Sequence, residues 1–155
     1  MPARFLKDDA ATEKLGAALA KQTPPGGTWL LKGELGAGKT TWARGFVAGL
    51  GGAADQVSSP TYAVLHRYDT PSGRVFHLDL YRLGPQGVWS LGLEESVSRA
   101  DWLVAEWAGK DGPWVSDWVS FLELSQARDG RNAAWYGSIS AGVGLGPTCA
   151  LNKKM

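Results

Sequence analysis

Gly33-Glu34-Leu35-Gly36-Ala37-Gly38-Lys39-Thr40 decides how this chain folds. It fits G-x-x-x-x-G-K-[ST], the phosphate-binding loop known as the P-loop. The flanks agree. Thr28-Trp29-Leu30-Leu31 reads as a short buried strand, and Thr41-Trp42-Ala43-Arg44-Gly45-Phe46-Val47 as a helix. Strand, glycine loop and helix start together make a triphosphate cradle. The helix N-terminus offers unpaired N–H groups and a partial positive charge. The glycines let the backbone curl around phosphates without Cβ clashes. Lys39 is expected to reach the β- and γ-phosphates, Thr40 to hold Mg²⁺, and Thr41 to serve the α-phosphate side. The competing reading, an ordinary glycine-rich turn, does not account for the strand before and the helix after.

Composition sets bounds on the rest. A chain of 155 residues predicts one domain with one core. Hydrophobic content of 44% and charged content of 20% are those of a globular protein. A net charge of +1 supplies no field to draw the chain to nucleic acid or an anionic membrane, so an RNA role is expected to run through a partner. Cys149 is the single cysteine, which excludes an intrachain disulfide and suits a reducing cytoplasm. No apolar run approaches the ~20 residues of a membrane span, and no secretory signal is expected at the N-terminus.

Outward from the loop, Ala3–Leu6 reads as a short edge strand. Asp8 or Asp9 caps a helix to about Lys21, with Leu15, Ala18 and Leu19 as its buried stripe. Thr23-Pro24-Pro25-Gly26-Gly27 ends it. The P-loop helix stops near Gly49-Leu50-Gly51-Gly52. Tyr62–Tyr68 and Arg74–Tyr81 read as strands around the turn Asp69–Gly73, Gly84–Ala100 as loop plus short helix, and Trp102–Trp107 as a short apolar strand. Gly109–Pro113 reads as a turn. Trp118–Ser125 and Ala133–Ser140 form a second hairpin around Arg128–Asn132. The fold class is therefore α/β, a P-loop-type three-layer sandwich with a mixed parallel and antiparallel sheet. Residues 1–141 are expected to form the domain and residues 142–155 a flexible tail.

Two acids sit where such a site needs them. Val75-Phe76-His77-Leu78-Asp79 is an apolar strand ending in a carboxylate, suited to position Mg²⁺ or its waters. Alternation puts Phe76, Leu78 and Leu80 on one face and His77, Asp79 and Tyr81 on the other. His77 is then either a hydrogen-bonded neighbour of the site or a satisfied structural histidine. Leu103-Val104-Ala105-Glu106-Trp107 carries its acid near the strand's C-terminal end, where open α/β sheets place ligands. Glu106 is a candidate for Mg²⁺ or the attacking water; an edge-strand surface charge is the alternative. Ser59-Pro60-Thr61 has the look of a switch loop, with Thr61 sensing γ-phosphate or metal; a plain turn is the alternative.

The P-loop with Thr41, Ser59-Pro60-Thr61-Tyr62, His77-Leu78-Asp79-Leu80-Tyr81-Arg82, Leu91-Gly92-Leu93-Glu94-Glu95 and Glu106-Trp107 occur in one order and spacing. Together they resemble the bacterial ATPase family of tRNA threonylcarbamoyladenosine biosynthesis, known as TsaE or YjeE, over about Ala3 to Ile139. The P-loop is generic, whereas the other motifs in combination are specific. The resemblance implies an enzyme that binds ATP and Mg²⁺ and hydrolyses ATP weakly alone. It implies work with a threonylcarbamoyl-transferase protein pair (TsaB- and TsaD-like) that modifies the adenosine beside the tRNA anticodon, with tRNA met only through that complex. Lys39, Asp79 and Glu106 are then the catalytic candidates, and Thr40, Asp79 and Glu106 the metal candidates. Gly33, Glu34, Leu35, Gly36, Ala37, Gly38, Lys39, Thr40 and Thr41 hold the nucleotide, with Thr12 and Arg131 at further matching positions. Trp107 is placed against the site.

The tail from Gly142 and the tryptophans Trp29, Trp42, Trp89, Trp102, Trp114, Trp118 and Trp135 are not hallmarks of that family. Most tryptophans are expected in the interior, with an exposed subset suited to a partner surface. The alternative function is a P-loop small-molecule kinase. That reading needs an arginine-bearing lid, and Arg67, Arg74, Arg82 and Arg99 are scattered instead.

Overall fold

The computed structural model describes residues 2–60, 63–84, 86, 89, 91–108 and 116–138. Along them run β1 (Ala3–Leu6), α1 (Asp9–Lys21), β2 (Thr28–Lys32), α2 (Lys39–Gly49), β3 (Leu65–Thr70), β4 (Gly73–Asp79), α3 (Glu94–Ser98), β5 (Trp102–Glu106), β6 (Val119–Ala127) and β7 (Gly130–Gly137). Seven strands make one sheet in the order β1-β7-β6-β2-β5-β4-β3. The centre, β6-β2-β5-β4, is parallel; β3, β7 and β1 add antiparallel edges. The mixed sheet expected from two hairpins in a P-loop chain is present.

Alternation along β2 divides the interior. Trp29 and Leu31 face one side, where they join Leu15 and Leu19 of α1 and Trp42 and Phe46 of α2. Leu30 faces the other side with Phe76, Leu78, Leu103 and Val97 of α3. A parallel strand flanked on both sides is buried on both faces, which is why Thr28–Leu31 reads as a continuous apolar run. Four tryptophans, Trp29, Trp42, Trp102 and Trp135, are fully interior, and Trp118 and Trp107 are half-buried. Trp89 is exposed; Trp114 lies outside the described residues.

Several boundaries differ from expectation. Regular β3 begins at Leu65, and Tyr62 lies outside the described residues. The second hairpin is tighter than its Arg128–Asn132 loop suggested: the ladder runs on to Ala127↔Gly130, leaving only Arg128 and Asp129 as the turn. β7 therefore begins at Gly130 rather than Ala133 and closes at Gly137. Ala20, not Ala18, completes the buried stripe of α1. The Gly109–Pro113 turn and the tail from Gly142 lie outside the described residues. Among the described residues, no helix is long and apolar enough to cross a membrane.

α1 and α2 cross at backbone contact, and glycine allows it. A Cβ on Gly45 would stand 2.0 Å from the Glu13 carbonyl oxygen, and one on Gly16 2.2 Å from that of Trp42. Gly45→Ala gains about 1 kcal/mol of intrinsic helix preference. Parting two helices whose contact is main chain is expected to outweigh that, for a net loss of about 2 kcal/mol. A denaturant midpoint at or above that of the parent chain would show that the crossing has slack.

Candidate phosphate and metal site

The loop Gly33–Gly38 leaves β2 at the centre of the sheet and enters α2 directly. α1 and α2 start differently. Asp8 caps α1 by accepting from the Ala11 N–H at 2.8 Å. α2 is capped by Gly38, which has no side chain to bond its first turn, and no acid lies in that turn. Its N–H groups and partial positive charge thus face the cleft uncompensated. Gly38 suits its backbone and adjoins Arg131. Its φ of 109° is left-handed, and a Cβ there would stand 2.4 Å from Nη1 of Arg131.

Register brings the two acids alongside. Leu31 of β2 pairs with Glu106 of β5, and Glu106 pairs with Asp79 of β4. Both carboxylates end adjacent parallel strands at the sheet's carboxyl edge, the usual side for ligands in open α/β sheets. Val75 and Val104 on the same strands belong to the helix-side core, so His77, Asp79 and Glu106 face α2 as alternation requires. β5 is central and Glu106 is 3% exposed. The reading of Glu106 as an edge-strand surface charge is thereby overturned.

A cleft of about 330 Å³ lies between these parts, lined by Leu35, Gly36, Gly38, Lys39, Thr40, Thr41, Ser59, Asp79, Glu106, Arg131 and Asp9. Lys39 is held within it. Its Nζ donates to the Gly33 carbonyl and, at 3.3 Å, to that of Glu34. The same ammonium lies 4.2 Å from the centre of the Trp107 ring. Burial lowers the Lys39 pKa from its ordinary value, while the Glu106 and Asp79 carboxylates oppose that shift. Trp107 adopts φ 59°, a left-handed conformation uncommon for a bulky residue, directly after the Glu106 strand end. Strain of this kind concentrates at functional sites. Tyr81 packs on the indole with ring centres 4.9 Å apart.

Only the family resemblance predicts Thr12 and Arg131 near the nucleotide. Arg131 does line the cleft. Its Nη1 donates to Thr12 Oγ1 at 3.0 Å, and its Nη2 pairs with Asp9 Oδ1 at 3.0 Å. Thr12 is fully buried behind that guanidinium. Ser59 faces the cleft, Pro60 is buried, and Thr61 lies outside the described residues. Asp9 and the Gln126 amide, 3.5 Å from the Gly36 carbonyl, were not legible in sequence. Nothing in their local pattern marks them; the α1–β7 and loop–β6 contacts do.

His77 is not a histidine satisfied by ordinary structural contacts. Its Nε2 is hydrogen-bonded to Oε2 of Glu106, and its Nδ1 has no partner among the described residues.

The donors suit a hard cation. The hydroxyl of Thr40 and the carboxylates of Asp79 and Glu106 are oxygen ligands, the class Mg²⁺ takes. Among the described residues, no three His, Cys, Asp or Glu side chains form a closed metal cage. Mg²⁺ does not need one, since it is held by one or two carboxylates together with phosphates and water.

Comparison with known proteins adds the family. The family described as "Threonylcarbamoyl adenosine biosynthesis protein TsaE" matches residues 6–133. The chain belongs to the TsaE family. A TsaE of Nostoc sp., named a tRNA threonylcarbamoyladenosine biosynthesis protein, is 41% identical over 84% of this chain and 82% of its own length. A relative of the same name in Bacillus subtilis is 38% identical over 66% of this chain. Another in Rickettsia felis is 36% identical over 67%. The chain spans 61% of the length of each of those two. The crystal structure of YdiB from Bacillus subtilis superposes with a TM-score of 0.64 over 84% of this chain and 81% of the other. Its 23% identity makes that a likeness of fold.

Proposed function

We propose that this TsaE-family chain is an Mg²⁺-dependent ATPase acting in tRNA threonylcarbamoyladenosine biosynthesis. In this reading it supports a TsaB- and TsaD-like threonylcarbamoyl-transferase pair and meets tRNA through that pair. The observation that carries the ATP reading is the convergence of Lys39, the uncapped start of α2, and the register-paired Asp79 and Glu106 on one cleft. The family supplies the pathway.

Lys39 and the N–H groups of α2 neutralise charge on the β- and γ-phosphates. Thr40, Asp79 and Glu106 would hold the metal, and Glu106 or Asp79 would orient the attacking water toward the γ-phosphate. Mg²⁺, when bound, would neutralise charge that develops on the phosphates. Arg131, fixed by Asp9 and Thr12, lends a guanidinium to the nucleotide. No side chain forms a covalent intermediate.

The test is ATP hydrolysis by the chain alone and with the transferase pair, with tRNA modification followed in parallel. Slow turnover alone, and repeated rounds of modification only when chain, ATP and Mg²⁺ are all present, is the expected result. ATP turnover indifferent to the pair, with no effect on modification, would overturn the pathway assignment and point to a small-molecule acceptor.

A further inference from the structure

His77 is 1% exposed and reaches Glu106 across the β4–β5 pair, opposite Val104 in the ladder. An ionised carboxylate only accepts, so Nε2 carries the hydrogen and donates. The imidazole is clamped from behind. The Tyr68 ring packs on it with centres 6.4 Å apart. Tyr68 is itself pinned: its hydroxyl lies 3.0 Å from Nδ1 of His66, accepts from the Ser58 N–H at 3.3 Å and meets the Ser58 carbonyl at 3.3 Å. That ties the clamp to the segment that presents Ser59 to the cleft. With no partner for Nδ1 among the described residues, the bond to Glu106 is the hydrogen bond that sets the ring's orientation.

We propose that His77 is a positioning residue, whose Nε2 fixes the Glu106 carboxylate toward the P-loop cleft in the orientation that takes up Mg²⁺. The inference rests on the Mg²⁺–ATP reading of that cleft. It assigns His77 no contact with substrate. Hydrogen-bonded partners of metal-ligating carboxylates typically change metal affinity by about 10–100-fold when removed, so the effect belongs to the metal rather than to the nucleotide.

The test is binding, without turnover, of a methylanthraniloyl-labelled β,γ-imido ATP analogue to the full chain, with and without Mg²⁺. His77→Leu is expected to match the parent chain in EDTA but to need about 10–100-fold more Mg²⁺ for half-saturation. His77→Gln, whose amide nitrogen mimics Nε2, should restore the parental value; His77→Asn, too short to reach Glu106, should not. A folded His77→Leu with parental Mg²⁺ half-saturation overturns the proposal. If His77→Leu does not fold, equal Mg²⁺ half-saturation for His77→Gln and His77→Asn overturns it. A parent chain that fails to bind the analogue, or binds it with no response to Mg²⁺, overturns the reading of the cleft itself, a failure distinct from one confined to the variants.

Discussion

Lys39→Ala is expected to reduce ATP hydrolysis by at least about 10²–10³-fold, the range for removing one preorganised charge donor from a developing anion. The side chain ends inside the cleft between the loop carbonyls of Gly33 and Glu34 and the face of Trp107. The replacement has no group there that can meet a phosphate. Lys39→Arg should restore little, because a planar fork cannot take the place of a compact ammonium in that slot. The fold should persist. Burial lowers the Lys39 pKa below its ordinary 10.5, so the folded state resists the proton. That burden is present below the lowered pKa and fades as pH rises toward the unfolded value. The parent chain should therefore gain stability across that alkaline window, and Lys39→Ala should lose that part of the gain. Phosphate release and urea unfolding at neutral and alkaline pH measure both effects. Parental turnover in Lys39→Ala would remove the central claim about this cleft.

Trp29→Ala should be the most damaging change to stability, costing about 4 kcal/mol. Trp29 is fully buried on β2, four residues before the loop. Its indole lies 5.3 Å from Trp42 of α2 and 5.8 Å from Trp118, and its Nε1 donates to Thr23 Oγ1 at 2.9 Å. Alanine would open a void between sheet and helix and strip that hydroxyl of its donor. Trp29→Phe keeps an aromatic ring there but loses the hydrogen bond, worth about 1 kcal/mol, and some buried area. It should cost roughly half as much as the alanine change. Urea unfolding gives both values. A loss under about 1 kcal/mol for Trp29→Ala would show that the interior refills the gap. Because β2 sets the position of Gly33, weaker nucleotide binding should accompany the loss.

Parts of the site were legible residue by residue. The P-loop is a local device: its glycines, lysine and threonine are adjacent in sequence, and strand and helix follow from short apolar patterns. Asp79 was legible because an acid that ends an apolar strand is conspicuous. Glu106 was ambiguous, since five residues of apolar strand look alike at the edge of a sheet and in its middle. His77 was placed on the correct face by alternation, but its partner lies 29 positions away, a distance no local pattern spans. Only resemblance to a family marks Arg131, because its anchors Thr12 and Asp9 lie at the other end of the chain.

The sequence alone determined the glycine-lysine-threonine motif, the fold class and the family, because each depends on short motifs or on their order along the chain. Only the tertiary structure decided that β5 runs between β2 and β4, which turns Glu106 from a surface charge into a buried neighbour of Asp79. It alone paired His77 with Glu106 and brought β7 back against α1 to set Arg131 beside Gly38. The reason is physical. Local propensity and periodicity fix what a segment becomes, whereas strand order and register follow from which buried faces fit together across the whole chain.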